Sequence, residues 1–377
     1  MTRPIIGRVE PGQRRSGDPD PQLSSHPAGA AADPGTARIA VDLLGGDQAP
    51  AVVVDGALRA CQADPALTLL LVGPPEAAEL LLSALPAASR ARVSALPFPA
   101  LAAAGKLEAV EHSREAAAAN SPSALEVVEP SREIAAACTR AAVQAVADGL
   151  ADAVLSAGDT GTIVLSAARL LGRWPGIRRP PLAAVLPSEA GRIVLLDVGS
   201  SVDPDAATLA THARLGAAYA SIVYGVPAPR VGLLTIGTER GKGDRLRRAA
   251  PELIAGLRWP AGARYAGLVE GNDVVSGGPA DVVVTDGFSG NVLLKGLESA
   301  YATLGAPNPA QETPPRAAVL LGVGGTVVVC HGAASWQDVA AGIGLAATLH
   351  RHGAVPVIAE LIRGPEIPQA QEVVHEQ

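Results

Sequence analysis

Between Asp281 and Lys295 three β-branched residues, Val282, Val283 and Val284, give way to a glycine-bearing polar loop, Asp286-Gly287-Phe288-Ser289-Gly290, and then to a helical run opened by Asn291. Consecutive valines favour a buried strand, Gly287 and Gly290 free the backbone for positive φ or close approach, and Asn291 is placed to cap Val292-Leu293-Leu294. Unpaired amides at such a helix start, at the positive end of its dipole, favour a phosphate or an oxyanion. A single loop of this kind is equally compatible with an ordinary strand-to-helix turn, because short glycine motifs match by chance. Its weight depends on recurrence.

The same unit recurs along the chain. Order is expected from Arg38, where Ile39-Ala40-Val41 leads to Gly45, Gly46 and Asp47 before a helical stretch from Ala51 to Cys61. Thr68 to Gly73 reads as a second strand, Glu76 to Leu85 as a helix and Ala91 to Leu96 as a third strand, a βαβ rhythm. Ser131 to Leu150 reads as a helix, and Ala151 to Gly161 as a strand with a polar loop that opens a helix through Leu171. Further apolar runs lie at Ile193 to Gly199, Arg230 to Gly237, Arg264 to Leu268, Asp281 to Thr285 and Thr326 to Cys330. Most are continuously apolar rather than alternating, as expected of strands covered on both faces. The predicted fold class is α/β, a three-layer α/β/α, doubly wound, largely parallel sheet.

Such sheets place ligands beyond the carboxyl ends of their strands. The polar loops at Gly45-Gly46-Asp47, Ser156 to Gly161, Asp197 to Asp203, Gly237 to Asp244, Asp286 to Asn291 and His331-Gly332 are therefore expected to converge on one cleft. None ends in the Lys-Ser/Thr of a nucleotide-binding P-loop or fits Gly-x-Gly-x-x-Gly, so a phosphate-sized anion fits better than ATP or NAD. With 48% apolar and 18% charged residues in 377, the chain can bury a large core. Only 2% of residues are aromatic and the net charge is −7, which argues against a nucleic-acid partner. Cys61, Cys138 and Cys330 lack metal-ligand spacing and read as packed, reduced thiols of a cytoplasmic protein. No metal site is expected. Residues 1–37, rich in Pro, Gly, Ser and Arg, lack the apolar core of a signal peptide and read as a disordered extension. The longest apolar run, Ala317 to Cys330, is interrupted by glycines and is shorter than the roughly 18 residues of a membrane span.

Five ordered segments carry a resemblance to a known family: Ile39 to Pro50, Ala151 to Gly161, Leu171 to Pro187, Leu195 to Asp203 with Pro229 to Asp244, and Asp281 to Lys295. Together they resemble the phosphate acyltransferases of bacterial phospholipid synthesis, the PlsX family, which make acyl phosphate from acyl carrier protein thioesters and inorganic phosphate. The resemblance implies a fold related to the isocitrate and isopropylmalate dehydrogenases, a homodimer, no cofactor and peripheral membrane contact. One domain, 38–364, is expected, with a loop region at 97–130, a shortened segment at 305–316 and a tail at 365–377. A phosphate dianion attacks a thioester without an activated protein nucleophile, so positioning and oxyanion stabilisation suffice.

On this resemblance Ser156, Gly158, Asp159, Thr160 and Gly161, with Gly287, Ser289, Gly290 and Asn291, are expected to form the phosphate and carbonyl shell. Gly45, Gly46, Gly237 and Thr238 are expected to add to the substrate site. Asp47, Asp197 and Asp286 either orient these loops by accepting backbone hydrogen bonds or act directly. Lys242 either neutralises phosphate or is solvated. His331 is either a general acid towards the leaving thiol or a hydrogen-bonded structural histidine. Arg240, Lys242, Arg245, Arg247 and Arg248, and a second group of Arg169, Arg173, Arg178 and Arg179, offer an acidic carrier protein a docking face, or are solvated helix surface.

The chain departs from the family in carrying Gln48 in place of His and Asp159 in place of Asn. After Lys295 the family continues into two long amphipathic helices, but here four prolines between Gly305 and Pro315 cannot support a helical hairpin. An acyl-thioester:phosphate acyltransferase is the leading expectation. The alternatives are a catalytically impaired paralogue that binds carrier protein or acyl ligand as a regulator, and an enzyme using short acyl or coenzyme A donors.

Overall fold

The computed structural model describes residues 35–97, 131–239, 241–308 and 314–363. The extension up to residue 34, most of the 97–130 loop region, Arg240 and the tail from 364 lie outside them. The strands are β1 (Ala37–Asp42), β2 (Leu67–Gly73), β3 (Val93–Pro97), β4 (Ala153–Ser156), β5 (Leu182–Ser188), β6 (Gly191–Leu196), β7 (Arg230–Leu234), β8 (Arg264–Val269), β9 (Val282–Val284), β10 (Ala317–Leu320) and β11 (Thr326–Cys330). They form one sheet in the order β3-β2-β1-β4-β11-β10-β5-β6-β9-β7-β8.

β3, β2, β1, β4 and β11 are mutually parallel, as are β6, β9, β7 and β8. Between the two blocks, β10 is antiparallel to both β11 and β5, and β5 to β6. The blocks therefore run in opposite senses, and their carboxyl ends lie on opposite edges of the sheet. The expected convergence of all six polar loops on one edge is thereby corrected. The cause is local: β5 and β6 are joined by Glu189-Ala190 alone, too short for the dozen or so residues that a parallel crossover needs.

Alternate strand residues feed two apolar layers. Ile39, Val41, Leu155 and Val284 pack on one face, with α1 (Ala51–Ala63), α2 (Pro75–Ala84), α6 (Ala206–Tyr224), α7 (Arg245–Ala255), α10 (Trp336–Arg351) and α11 (Ala354–Arg363). Ala40, Val154 and Val283 pack on the other, with α4 (Arg132–Ala147), α5 (Thr160–Leu170), α8 (Gly271–Ser276) and α9 (Gly287–Leu304). A short helix, α3 (Ala87–Arg90), precedes β3. Period-2 side chains buried on both faces are what made these strands continuously apolar in sequence. This is the expected three-layer α/β/α arrangement.

Four aspartates that follow strands start helices. Asp159, Asp205, Asp244 and Asp286 each accept the backbone amide three residues on, from Thr162, Thr208, Arg247 and Ser289, at 2.8 Å. Such caps are worth about 1 kcal/mol apiece.

Candidate active site

The loops after β1, β4 and β11 interlock by backbone contact. A Cβ on Gly45 would lie 2.7 Å from the Gly158 nitrogen, so only glycine lets these chains approach. The Asp47 amide donates to the Gly332 carbonyl at 2.7 Å. Beneath them, the Asp42 carboxylate accepts the hydroxyls of Thr139 and Ser156, each at 2.6 Å, and Ser156 Oγ in turn accepts the Gly158 amide at 3.0 Å. Burial pushes the Asp42 carboxyl up, against those hydroxyls. Ser156, fully engaged and 1% exposed, is thus placed to hold the loop rather than to meet substrate. The space between Gly45, Gly46, Gln48 and Gly332 is only about 10 Å³, room for one water at most.

On the opposite edge the buried Asp197 carboxylate accepts four amides, from Leu182, Gly199, Ser200 and Ser201, at 2.7–3.2 Å. This fixes the 197–201 loop against the start of α9, where Gly287 donates to the Ser201 carbonyl at 2.7 Å. At Gly290 a Cβ would stand 2.0 Å from the Asp197 carbonyl oxygen. The helix therefore begins at Gly287 with Asp286 as its cap, and Asn291 lies inside it; the expected Asn291 cap is corrected. The amides of Gly287, Ser289 and Gly290 are all taken by protein oxygens, so this loop is not the open anion cradle its sequence suggested.

Arg247 also differs from expectation. It is 8% exposed, and its guanidinium is turned inward to Asp286, to Asp244 at 2.9 Å, to Thr285 Oγ1 at 2.9 Å, to Ser289 Oγ at 3.3 Å and to the Leu234 carbonyl at 3.2 Å. It cannot dock a partner. Burial alone would raise the Asp286 carboxyl, but the Ser289 amide and Arg247 more than offset it and hold it below the usual range. Arg245 and Arg248 remain exposed, as do Thr238 and Lys242 in the turn after β7. Gly237 is buried in that turn, and none of these three lines the cavity described next.

A cavity of about 350 Å³ lies on the sheet face between α5 and α9, over β5 and β10. Its floor is apolar, from Leu182, Ala184, Leu186, Ala318 and Val329, and its polar lining comes from Thr160, Asn291, Lys295, Glu298, Arg316 and His331. Ala184 pairs with Ala318, and Ala317 with Cys330, so Arg316 and His331 stand side by side at one edge. From Leu182 to Leu186 the floor runs four residues, about 13 Å at some 3.3 Å each. Of the expected site residues, this cavity brings together Thr160, Asn291 and His331.

Asp159 caps α5 through both the amide and the hydroxyl of Thr162, so its charge is spent on the helix rather than aimed at the cavity. The Thr160 and Gly161 amides have no protein acceptor among the described residues. Lys295, Glu298 and Arg316 were missed by the sequence reading. The signal was there, since Asn291, Lys295 and Glu298 are spaced i, i+4, i+7 on one helix face. Lys295 makes no ion pair among the described residues, whereas Glu298 lies 3.7 Å from Arg316 and 3.8 Å from His331. Cys330 also lines the cavity, but burial pushes its thiol up to about 12, which removes it as a nucleophile near neutrality.

This architecture is that of the phosphotransacetylases. A phosphotransacetylase from Streptococcus pyogenes superposes with a TM-score of 0.55 at 20% identity, covering 85% of this chain and 94% of that one. The EutD phosphotransacetylase from Staphylococcus aureus gives 0.52 at 17%, again over 85% and 94%. Likeness at these identities defines the fold alone. Residues 37–306 match the family described as fatty acid synthesis protein. The phosphate acyltransferase of Thermobifida fusca is 36% identical over 330 residues, 80% of this chain and 84% of that one. That of Syntrophomonas wolfei is 37% identical over 322 residues, 82% and 93%. The chain belongs to the phosphate acyltransferase family, as the five segments implied, and is an enzyme.

Proposed function

We propose that this enzyme transfers the acyl group of an acyl carrier protein thioester to inorganic phosphate, giving acyl phosphate and free carrier protein for fatty acid and phospholipid synthesis. The observation that carries the reading is the cavity, in which an apolar floor meets a polar rim that carries, among the described residues, two cations, Lys295 and Arg316, and one carboxylate, Glu298. That excess of positive charge suits a phosphate dianion, and the open amides at Thr160 and Gly161 suit a phosphate oxygen or the oxyanion. The floor suits an acyl chain. Thioester and acyl phosphate are both activated, so the exchange is complete without a further energy source.

Ser156, Gly158, Asp47, Asp197 and Asp286 act in this reading by holding the loops. Arg245 and Arg248, with Lys242 nearby, offer the acidic carrier protein a docking face next to the start of α9. The reading includes a cytoplasmic homodimer with weak peripheral contact at the membrane; no helix among the described residues is long and apolar enough to cross one. Incubation with acyl carrier thioesters and phosphate, followed by hydroxylamine trapping, should yield acyl hydroxamate that requires phosphate. No hydroxamate with any donor would sink the proposal.

A further inference from the structure

The Glu298 carboxylate stands between two cavity side chains, Arg316 and His331. Its side chain is only 10% exposed, yet both neighbours are beyond hydrogen-bond length: Arg316 Nε at 3.7 Å and His331 Nε2 at 3.8 Å. Contacts this long add little to stability. Their geometry, however, distinguishes the two nitrogens of His331. Nε2 is turned to the carboxylate, while Nδ1 has no protein partner among the described residues, and the ring lines the cavity.

We infer that Glu298 is a positioning residue that keeps the proton of neutral His331 on Nε2, so that Nδ1 is the base that carries a proton from the attacking phosphate to the departing sulfur. The inference rests on the acyltransferase reading. Phosphate enters as HPO₄²⁻. One of its oxygens forms a bond to the thioester carbonyl carbon, the C=O electron pair moves to oxygen, and the phosphate O–H proton passes to Nδ1. When the oxyanion collapses the C–S bond breaks, and sulfur takes that proton from Nδ1. The products are the acyl phosphate dianion and a thiol, and the imidazole returns to its starting form. In between it is a cation, whose charge Glu298 offsets from the Nε2 side. Contacts of this kind are often long without substrate and shorten in the reacting complex.

The test uses the full chain, with rates read as trapped hydroxamate while phosphate and thioester are varied separately. Glu298→Leu should lower kcat by about 10–100-fold with both KM values within about twofold, and His331→Gln by about 10²–10⁴-fold. The double variant should be no slower than His331→Gln, because groups acting as a unit do not multiply. Arg316→Gln, which removes a rim cation but leaves the His331 contact intact, should raise the KM for phosphate without changing the ring tautomer. In ¹⁵N-histidine spectra, with the His331 signal assigned by its loss in His331→Gln, the wild-type ring should be the Nε2–H tautomer and Glu298→Leu a mixture. If that variant does not fold, Glu298→Gln keeps the shape and should show an intermediate loss. Multiplying losses, or an unchanged tautomer in an active enzyme, would overturn the role of Glu298 alone. A wild-type enzyme that makes no acyl phosphate would overturn the shuttle together with the reading beneath it.

Discussion

Replacing Arg247 by methionine leaves the Asp286 carboxylate buried beside an apolar side chain. The two side chains are 9% and 8% exposed, and the guanidinium also serves Asp244, Thr285, Ser289 and the Leu234 carbonyl. Removing one partner of a buried pair costs about 3–5 kcal/mol, and Asp286 keeps the Ser289 amide, so the lower end, about 3 kcal/mol, is expected. Equilibrium urea unfolding should show this as a lower midpoint at unchanged slope. The pH dependence carries a sign. In the parent the Asp286 carboxyl is depressed, so its contribution is complete above about 3.9 and is lost as pH falls through the folded value. In Arg247→Met burial dominates and raises that carboxyl, so protonation favours the folded state and the deficit should narrow towards acid. Adding Asp286→Asn should recover at least about 1 kcal/mol by removing the naked charge. A deficit below about 1 kcal/mol, constant with pH and unrelieved by Asp286→Asn, would refute the inward role and return Arg247 to the surface.

Gly290→Ala pushes a methyl to 2.0 Å from the Asp197 carbonyl oxygen, so a loss of about 1–3 kcal/mol is expected in the same unfolding assay. Lys295→Met removes the cavity cation that has no ion pair among the described residues, and the KM for phosphate should rise about tenfold with the thioester KM little changed; equal changes in both would place phosphate elsewhere. Asp159→Asn keeps a good cap, and because the carboxylate is already engaged by Thr162, stability should stay within about 0.5 kcal/mol and the KM for phosphate should change less than about twofold. A rise in that KM would show the carboxylate assisting binding.

Most strands were legible because burial on both faces makes them continuously apolar, as in Val282-Val283-Val284. β5 and β10 were not. Leu182–Ser188 includes two alanines and follows two prolines, and Ala317–Leu320 merges with β11 into one apolar run. The decisive clue lay in connection lengths, since Glu189-Ala190 admits only an antiparallel neighbour. Site residues were legible as polar types in glycine loops, but type does not give direction. Asp159 and Asp286 looked like site carboxylates and are helix caps. Arg247 looked like one of a basic run, although Arg247, Ala250 and Ile254 form the buried stripe of α7, at a spacing that already set it apart from Arg245 and Arg248.

Opposed parallel blocks also dictate where chemistry can occur. No one strand edge collects the carboxyl ends of both blocks, so residues from the two can meet only where helices cross the sheet face. α5 enters from the β4 edge and α9 from the β9 edge, over the two antiparallel strands that have short side chains at Ala184 and Ala318. Because Asn291, Lys295 and Glu298 share one rigid helix, whatever fixes its start fixes all three together. The start is fixed by Gly287 and Gly290 packed on the 197–201 loop and by the Arg247–Asp286 pair. The stretch that looked most like a ligand cradle therefore serves as the anchor of the helix that builds the site. Loosening it should lower kcat through Glu298 and raise the phosphate KM through Lys295 in the same variant, a combination that substitution of either residue alone should not give.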